Sequence, residues 1–387
     1  MDKRILIVTK LNDEHAHLVA TGLDLMGVRS DTFRFGMMPM YESHTLELDG
    51  SIMFRVNNDI IFGEDVSYDR IWLRRIGGSS IKLMNIQEND KRYVYDVMNA
   101  YRTSLFALIN RLSADRPDIM INGYWAKLAA ESKMLQLWQA RRAGLTVPET
   151  IQSNDVSAIR TFQEKHSGKI ICKAIIPQMW QSERRLAFAY TAILPNVDSI
   201  PPEAISLHPA IYQPYVDKLF EIRIVIFGGK QFGIKIDSQD DQLSVVDWRA
   251  KRLIRNNNEN YRLPEDIFNK CINLMRSLDI SYGAFDFIVS PNGDYIFLEV
   301  NEAGQFLFIE DCGPNDKIAH AFCHFLIHGT LQDWSEKNVT FTLKDLLFSE
   351  QAKERKEADA QFRDYDRTAR VSQLDDTVGS HYVGNVS

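Results

Sequence analysis

The chain has 387 residues and only four cysteines, Cys172, Cys271, Cys312 and Cys323, with no CxxC pair among them. So few and so dispersed, they frame neither a disulfide scaffold nor a zinc site and read as reduced thiols of a cytoplasmic protein. Long apolar runs are missing too: nothing approaches the ~18 residues of a membrane span. The opening MDKRILIVTKLNDE meets charge too early for a secretory segment. Basic residues are outnumbered, 45 against 52 acidic, for a net charge of −7, which argues against a general nucleic-acid binder. No GxGxxG follows the first strand-like run, no GxSxG or Cys-His arrangement signals a nucleophile, and no repeat is visible. What remains is ordinary globular composition, 45% hydrophobic and 25% charged, with length for two or three packed subdomains.

Residues 4–9 read as a buried strand, 13–26 as a helix and 28–35 as a second strand, a β-α-β start and hence a parallel sheet. Residues 68–75, YDRIWLRR, read as a strand ending in Arg74 and Arg75, and 89–112 as a long helix. Residues 125–143 read as one helix capped by Gly144. Residues 169–176 and 211–216 read as extended segments, and EIRIVIF and QFGIKID as a hairpin about Gly228-Gly229. After a helix at 264–278, AFDFIVS and YIFLEVN form a hairpin about Asn292-Gly293, and 315–328 is helical. The expected division is an N-terminal α/β domain over 1–117, a central lobe over 118–210 and a C-terminal lobe over 211–335. The polar tail, 349–387, is expected to be disordered, and its loss from residue 355 onward to leave folding intact.

A turn centred on Asn292-Gly293 puts Asp286 directly opposite Glu299, and Asn301 shares their face because strand side chains alternate. Facing carboxylates repel unless something cationic lies between them. Two carboxylates and a carboxamide suit magnesium, which prefers hard oxygens and nucleotide phosphates; the alternative is an acidic face with salt-bridge partners. In the preceding hairpin, burying both isoleucine sets is expected to put Arg223 and Lys235 together on the opposite face, where they call for an anion, unless that face is merely solvated. Lys173, inside an apolar strand, either snorkels or reaches a phosphate. Lys133, on the preceding helix, reads on its own as a surface lysine. Gln213, Pro214, Tyr215 and Val216 look like a hinge whose free backbone groups read an adenine edge, with Asp217 or Glu221 on the ribose. Arg74 and Arg75 lie at a strand's carboxyl end, where ligands collect. One is expected to face the cleft and hold an acidic substrate group or phosphate, the alternative being a structural salt bridge.

The order of these motifs over residues 120–330 resembles the ATP-grasp superfamily. The resemblance implies an α/β fold of α+β lobes with an N-terminal pre-grasp domain. It implies phosphates on Lys133 and Lys173, adenine at Gln213 to Val216, ribose at Glu221 and magnesium at Asp286, Glu299 and Asn301. Finer features, Trp72-Leu73-Arg74-Arg75, Asp247-Trp248-Arg249 and GAFDFIV…FLEVNEAGQF, resemble the microviridin-type, or graspetide, peptide ligases. Those enzymes crosslink side chains of a ribosomally made precursor peptide into ω-esters or ω-amides. The family has proline after the metal-binding asparagine, where this chain has Glu302. Arg249 becomes a candidate for the acceptor carboxylate or acyl phosphate, against a surface arginine stacked on Trp248. The implied partners are a precursor peptide and a second copy in a homodimer.

A carboxylate is a poor electrophile; phosphoryl transfer from ATP turns it into an acyl phosphate with a good leaving group. That step needs alignment and charge neutralisation rather than covalent help, which Arg223, Lys235 and Lys173 would supply with the metal. Two other readings remain: a ligase for free amino acids or a protein tail, and an ATP-binding regulatory module without turnover.

Overall fold

The first strand, β1 (Arg4–Thr9), is buried from Ile5 onward, as four consecutive apolar residues dictate for a strand covered on both faces. The chain returns through α1 (Glu14–Leu25), buried without a break from Ala16 to Leu23, to β2 (Arg29–Arg34). An antiparallel meander follows, β3 (His44–Asp49), β4 (Ser51–Val56) and β5 (Asp59–Phe62), which no sequence expectation covered. Then come β6 (Arg70–Leu73), α2 (Glu88–Leu112) and β7 (Met120–Ile121). Strands β2-β1-β6-β7 form one parallel sheet in that order. β7 thus joins the first sheet from beyond the boundary expected at Pro117; two residues carry too little pattern to announce it. The computed structural model describes residues 3–38, 41–49, 51–63, 68–76, 86–113, 115–175, 179–182, 185–188, 191–237, 259–312, 316–360 and 362.

The stretch expected as one helix over 125–143 is two, α3 (Tyr124–Glu131) and α4 (Lys133–Arg142), broken where Ser132 is extended with φ −75° and ψ 103°. The break places Lys133 in the first turn of a redirected helix. Gly144, at φ 86°, ends α4 in the left-handed conformation that favours glycine. The central lobe holds β8 (Ile151–Ser153), α5 (Val156–Lys165), β9 (Ile170–Lys173), β10 (Met179–Ser182), β11 (Arg185–Phe188), β12 (Ala192–Ile193), α6 (Pro202–Ser206) and β13 (Ala210–Pro214). β12-β9-β13-β8 make an antiparallel sheet and β10-β11 a separate pair. β13 pairs with both β8 and β9, so it sits in the central sheet rather than in the lobe expected from residue 211.

The C-terminal lobe is β14 (Phe220–Phe227), β15 (Lys230–Ile236), α7 (Glu265–Ser277), β16 (Tyr282–Val289) and β17 (Tyr295–Asn301), with strand order β15-β14-β16-β17. Apolar layers cover both faces. Ile222, Ile224, Ile226, Phe285, Phe287 and Phe297 pack toward α4 and α7. Val225, Phe227, Phe232, Ile234 and Ile236 share the other core with α1, β1 and α9 (Ile318–His328). The two isoleucine sets therefore face opposite layers: Ile222 lies opposite Lys235, and Arg223 opposite Ile234. The expectation that Arg223 and Lys235 share a face is overturned, because it assumed a sheet buried on one side only.

The chain continues through α8 (Phe308–Cys312), α10 (Leu343–Leu347) and α11 (Glu350–Ala360). The start of the expected disordered tail is thus a helix packed against α1, with Ala352 in the α1 core. Asp359, 1% exposed, accepts a hydrogen bond from the Asn12 amide at 2.9 Å, pairs with His17 Nε2 at 2.9 Å and with Arg34 Nη2 at 2.8 Å. Composition pointed the wrong way because one buried carboxylate, not an apolar stripe, anchors this helix. Loss of residues from 355 onward would remove Asp359 and these three contacts with it. Residues 363–387 lie outside the described residues.

Candidate active site

β14, β16 and β17 place three polar residues side by side: Arg223 lies opposite Asp286, and Asp286 opposite Glu299. The second pairing depends on a bulge. Near the turn Val289 faces Tyr295 and Phe287 faces Phe297, and Leu298 is then left over before Asp286 meets Glu299. The extra residue lets Phe297 and Val300, three apart, bury in the same core, while Glu299 and Asn301 turn to the polar side. Arg223, 5% exposed, donates through Nη1 to both Asp286 oxygens at 2.8 Å. Asn301 Nδ2 reaches Glu299 Oε1 at 3.1 Å and Asp286 Oδ2 at 3.5 Å. Lys133 Nζ donates to Glu299 Oε2, so the redirected α4 brings to the row a lysine that reads, in isolation, as a surface residue.

Among the described residues no group of three or more His, Cys, Asp or Glu converges on a metal position. Two carboxylates and one carboxamide in mutual contact are the sparse set that magnesium takes when phosphates and water complete its shell. The contact between the Asn301 amide and both carboxylates shows that the three groups reach a common point. An amide's O and N are assigned from such contacts, and a cation there would be met by the oxygen instead.

The central lobe supplies the other candidate edge. Lys173 closes β9 opposite Ile211 of β13, and Gln213 and Pro214 pair with Ile171 and Ile170. Gln213 is buried; its Nε2 donates to Thr150 Oγ1 at 2.9 Å and its Oε1 has no partner. The Tyr215 amide donates to the Lys169 carbonyl at 3.0 Å and is already spent, so the free backbone groups expected in this hinge do not include it. Val216 is partly buried. Asp217 is exposed and pairs with Lys169 at 3.4 Å. Glu221 is buried against Lys218 Nζ at 2.7 Å, a lysine that sequence reasoning missed although its spacing to Glu221 was visible. Lys235 pairs with Asp237 at 2.9 Å, away from Arg223. Asp247, Trp248 and Arg249 lie outside the described residues.

The first domain meets this row through the segment after Asn301. Arg74, 1% exposed, donates to the Ala303 carbonyl, and Arg223 Nη2 donates to the Gln305 carbonyl at 3.3 Å. Gly304 sits between them, where an added Cβ would lie 2.7 Å from Arg223 Nη2; glycine is needed there for close approach. Arg75 keeps 37% of its side chain exposed. Both arginines converge on Asp13 Oδ2, at 3.6 and 4.0 Å. Burial pushes the Asp13 carboxyl up, but Arg74, the Thr9 hydroxyl, His15 and Arg75 outweigh it and hold it below the ordinary range. Asn122, missed in the sequence, is buried and binds the carbonyls of Tyr282 at 2.9 Å and Glu302 at 2.8 Å. Glu302, standing where the resembled family has proline, is held by Lys127. Neither Asn122 nor Lys127 carried a motif; only the fold brings them to this segment.

No known family's sequence profile matches the chain, and no curated protein matches it. Solved structures do. Macrocyclase MdnC from Microcystis aeruginosa MRC, bound with precursor peptide MdnA, is 25% identical with a TM-score of 0.71, covering 84% of this chain and 99% of that one. A RiPP-associated ATP-grasp ligase of Chryseobacterium gregarium, in complex with ADP and a leader and core peptide, is 21% identical with a TM-score of 0.72, covering 85% and 97%. Macrocyclase MdnB from Microcystis aeruginosa MRC is 23% identical with a TM-score of 0.68, covering 84% and 100%. The chain is an ATP-grasp ligase. Its form is that of the graspetide-type ligases, the likeness carried in its sequence by GAFDFIV…FLEVNEAGQF.

Proposed function

We propose that this ligase activates a side-chain carboxylate of a ribosomally made precursor peptide with ATP and then joins it to a side-chain hydroxyl or amine of the same peptide. The observation that carries the reading is the contiguous row Arg223, Asp286, Asn301, Glu299 and Lys133 beside a buried arginine of another domain. It combines hard oxygen ligands with cations aimed at the same place. Asp286, Glu299 and Asn301 would hold Mg²⁺, which neutralises phosphate charge when bound. Lys133 and Lys173 would bind phosphates, Gln213, Pro214, Tyr215 and Val216 the adenine, and Asp217 or Glu221 the ribose. Arg223 is positioned to balance charge on the transferring phosphoryl group. Lys235, on the other face, keeps at most a peripheral part, and Arg249 is retained for the acyl phosphate or acceptor. Arg74 and Arg75 would hold the acidic group of the peptide.

The domains are proposed as expected, with β7 added to the first sheet and β13 to the central lobe. A homodimer belongs to the same reading. Tyr93 and Val97 on α2, Trp125 and Leu128 on α3, and Met134 and Trp138 on α4 are exposed apolar side chains on consecutive helices, the kind of surface that a second copy covers. Among the described residues no helix is long and apolar enough to cross a membrane; a cytoplasmic place without a membrane partner belongs to the same proposal. The net charge of −7 speaks against nucleic acid.

The test is incubation with ATP, Mg²⁺ and the precursor peptide encoded beside the gene. Release of ADP with loss of one water per ring from the peptide is expected. Glu299→Gln and Asn301→Ala should abolish ADP release while keeping the fold, and normal turnover in either would refute the metal assignment.

A further inference from the structure

His15 lies in the first turn of α1, two residues after Asp13. Its ring meets Phe306 edge-on with centroids 5.1 Å apart, and Phe306 ends the same segment whose Ala303 and Gln305 carbonyls hold Arg74 and Arg223. The imidazole therefore lies where the first domain closes over the arginine that grips Asp286. Its Nδ1 is shut off from solvent and has no hydrogen-bond partner, although the ring as a whole is only partly buried. Two neighbours share that condition: Arg74 Nε and Nη2, and Arg223 Nε, are buried without hydrogen-bond partners, Arg74 Nε lying 3.6 Å from Asp13 Oδ2. Orphaned donors of this kind normally have a partner in one state of the molecule. Here an anionic substrate entering between the domains would supply it.

We propose that His15 is the general base of the joining step, a role that rests on the ligase reading above. The acceptor oxygen or nitrogen attacks the acyl phosphate carbon and its proton passes to the imidazole. The tetrahedral intermediate then collapses, the bond to phosphate breaks, inorganic phosphate leaves, and the imidazolium returns its proton to solvent. Nothing else is oxidised, reduced or consumed.

The surroundings fit this use. Burial and the charges of Arg74, Arg75 and Arg223, opposed by Asp13, lower the imidazole to about 3 in the absence of substrate. The other titratable groups against these arginines are Asp286, which accepts from Arg223, the buried Tyr282 phenol, which donates to the Gly304 carbonyl at 2.8 Å, and Glu302, tied to Lys127. At neutral pH the ring is thus uncharged and can accept a proton. When substrate carboxylate and phosphate occupy the three guanidinium groups, the like-charge penalty is offset and the imidazole becomes more basic where a base is needed. Its basicity rises when the cleft is occupied by substrate.

Hydroxylamine separates the two half-reactions, because it attacks acyl phosphates without help from a base. With His15→Gln, ADP formation and hydroxamate capture on the peptide should stay within about twofold of wild type. Ring closure should fall by roughly a hundredfold or more in kcat, with KM for the peptide nearly unchanged. His15→Asn serves as the second variant if the glutamine protein does not fold. Wild type alone also decides: at fixed free-base hydroxylamine, ring closure should fall on acidification while capture stays level. Ring closure within threefold of wild type in a folded variant overturns the proposal. So does equal loss of capture and closure, or a wild-type closure rate that does not change with pH. A wild type that gives neither ADP nor hydroxamate with the precursor would instead sink the ligase reading.

Discussion

Replacing Asp359 tests whether the last helix is part of the folded body. Asp359→Ala leaves the Asn12 amide and the His17 ring without their acceptor in a site where the carboxylate is 1% exposed. Each stranded group costs about 1–2 kcal/mol. Loss of the Arg34 pair adds about 1 kcal/mol at most, since that side chain stays 25% exposed and can rehydrate. The expected loss is therefore about 2–5 kcal/mol, with Asp359→Asn at roughly half because an oxygen remains for the Asn12 amide. Burial pushes the Asp359 carboxyl up, but His17, Arg34 and the Asn12 amide bring it below its ordinary value. A depressed carboxylate stabilises the fold above its unfolded pKa of about 3.9, and that contribution is lost as pH falls through the folded value. Urea denaturation followed by hydrogen exchange of the α11 amides measures both effects. A loss under about 1 kcal/mol, with α11 as protected as in wild type, would refute the reasoning.

Three further outcomes are expected. Arg74→Met should remove turnover and also cost about 3 kcal/mol of stability, since it leaves the buried Asp13 carboxylate and the Ala303 carbonyl without this partner. Arg75→Met should stay within about 0.5 kcal/mol of wild type and weaken peptide binding, as read by urea midpoints and peptide titration. Lys133→Met should weaken binding of a non-hydrolysable ATP analogue by about tenfold in calorimetry, and Lys173→Ala by more; unchanged affinity removes the residue concerned from the site. His15 is held near 3 when folded against about 6.5 unfolded, so between those values the unfolded chain binds the extra proton and stability falls with falling pH. Between pH 7 and 5 the wild type should lose about 2 kcal/mol more than His15→Gln; equal losses would show that the imidazole is not held neutral.

The strands and helices that carry strong patterns, β1, α1, α7 and the two hairpins, were legible because alternation and turn glycines act over a few neighbouring residues. So was the facing of Asp286 and Glu299, although the sequence could not show that an extra residue, Leu298, sits between their pairing and the turn. The site's other members were decided by tertiary structure. Arg223 and Lys235 part company because β14 is buried on both faces, and a period of two says which residues share a face but not what covers it. Lys133 reaches Glu299 only because Ser132 breaks a run that local propensity reads as one helix. α11, polar along its length, is held by the buried contacts of Asp359 with residues more than three hundred positions away. Periodicity records the medium a segment faces on average; a single buried charge answers to particular partners, and those are assigned by the closing of the chain.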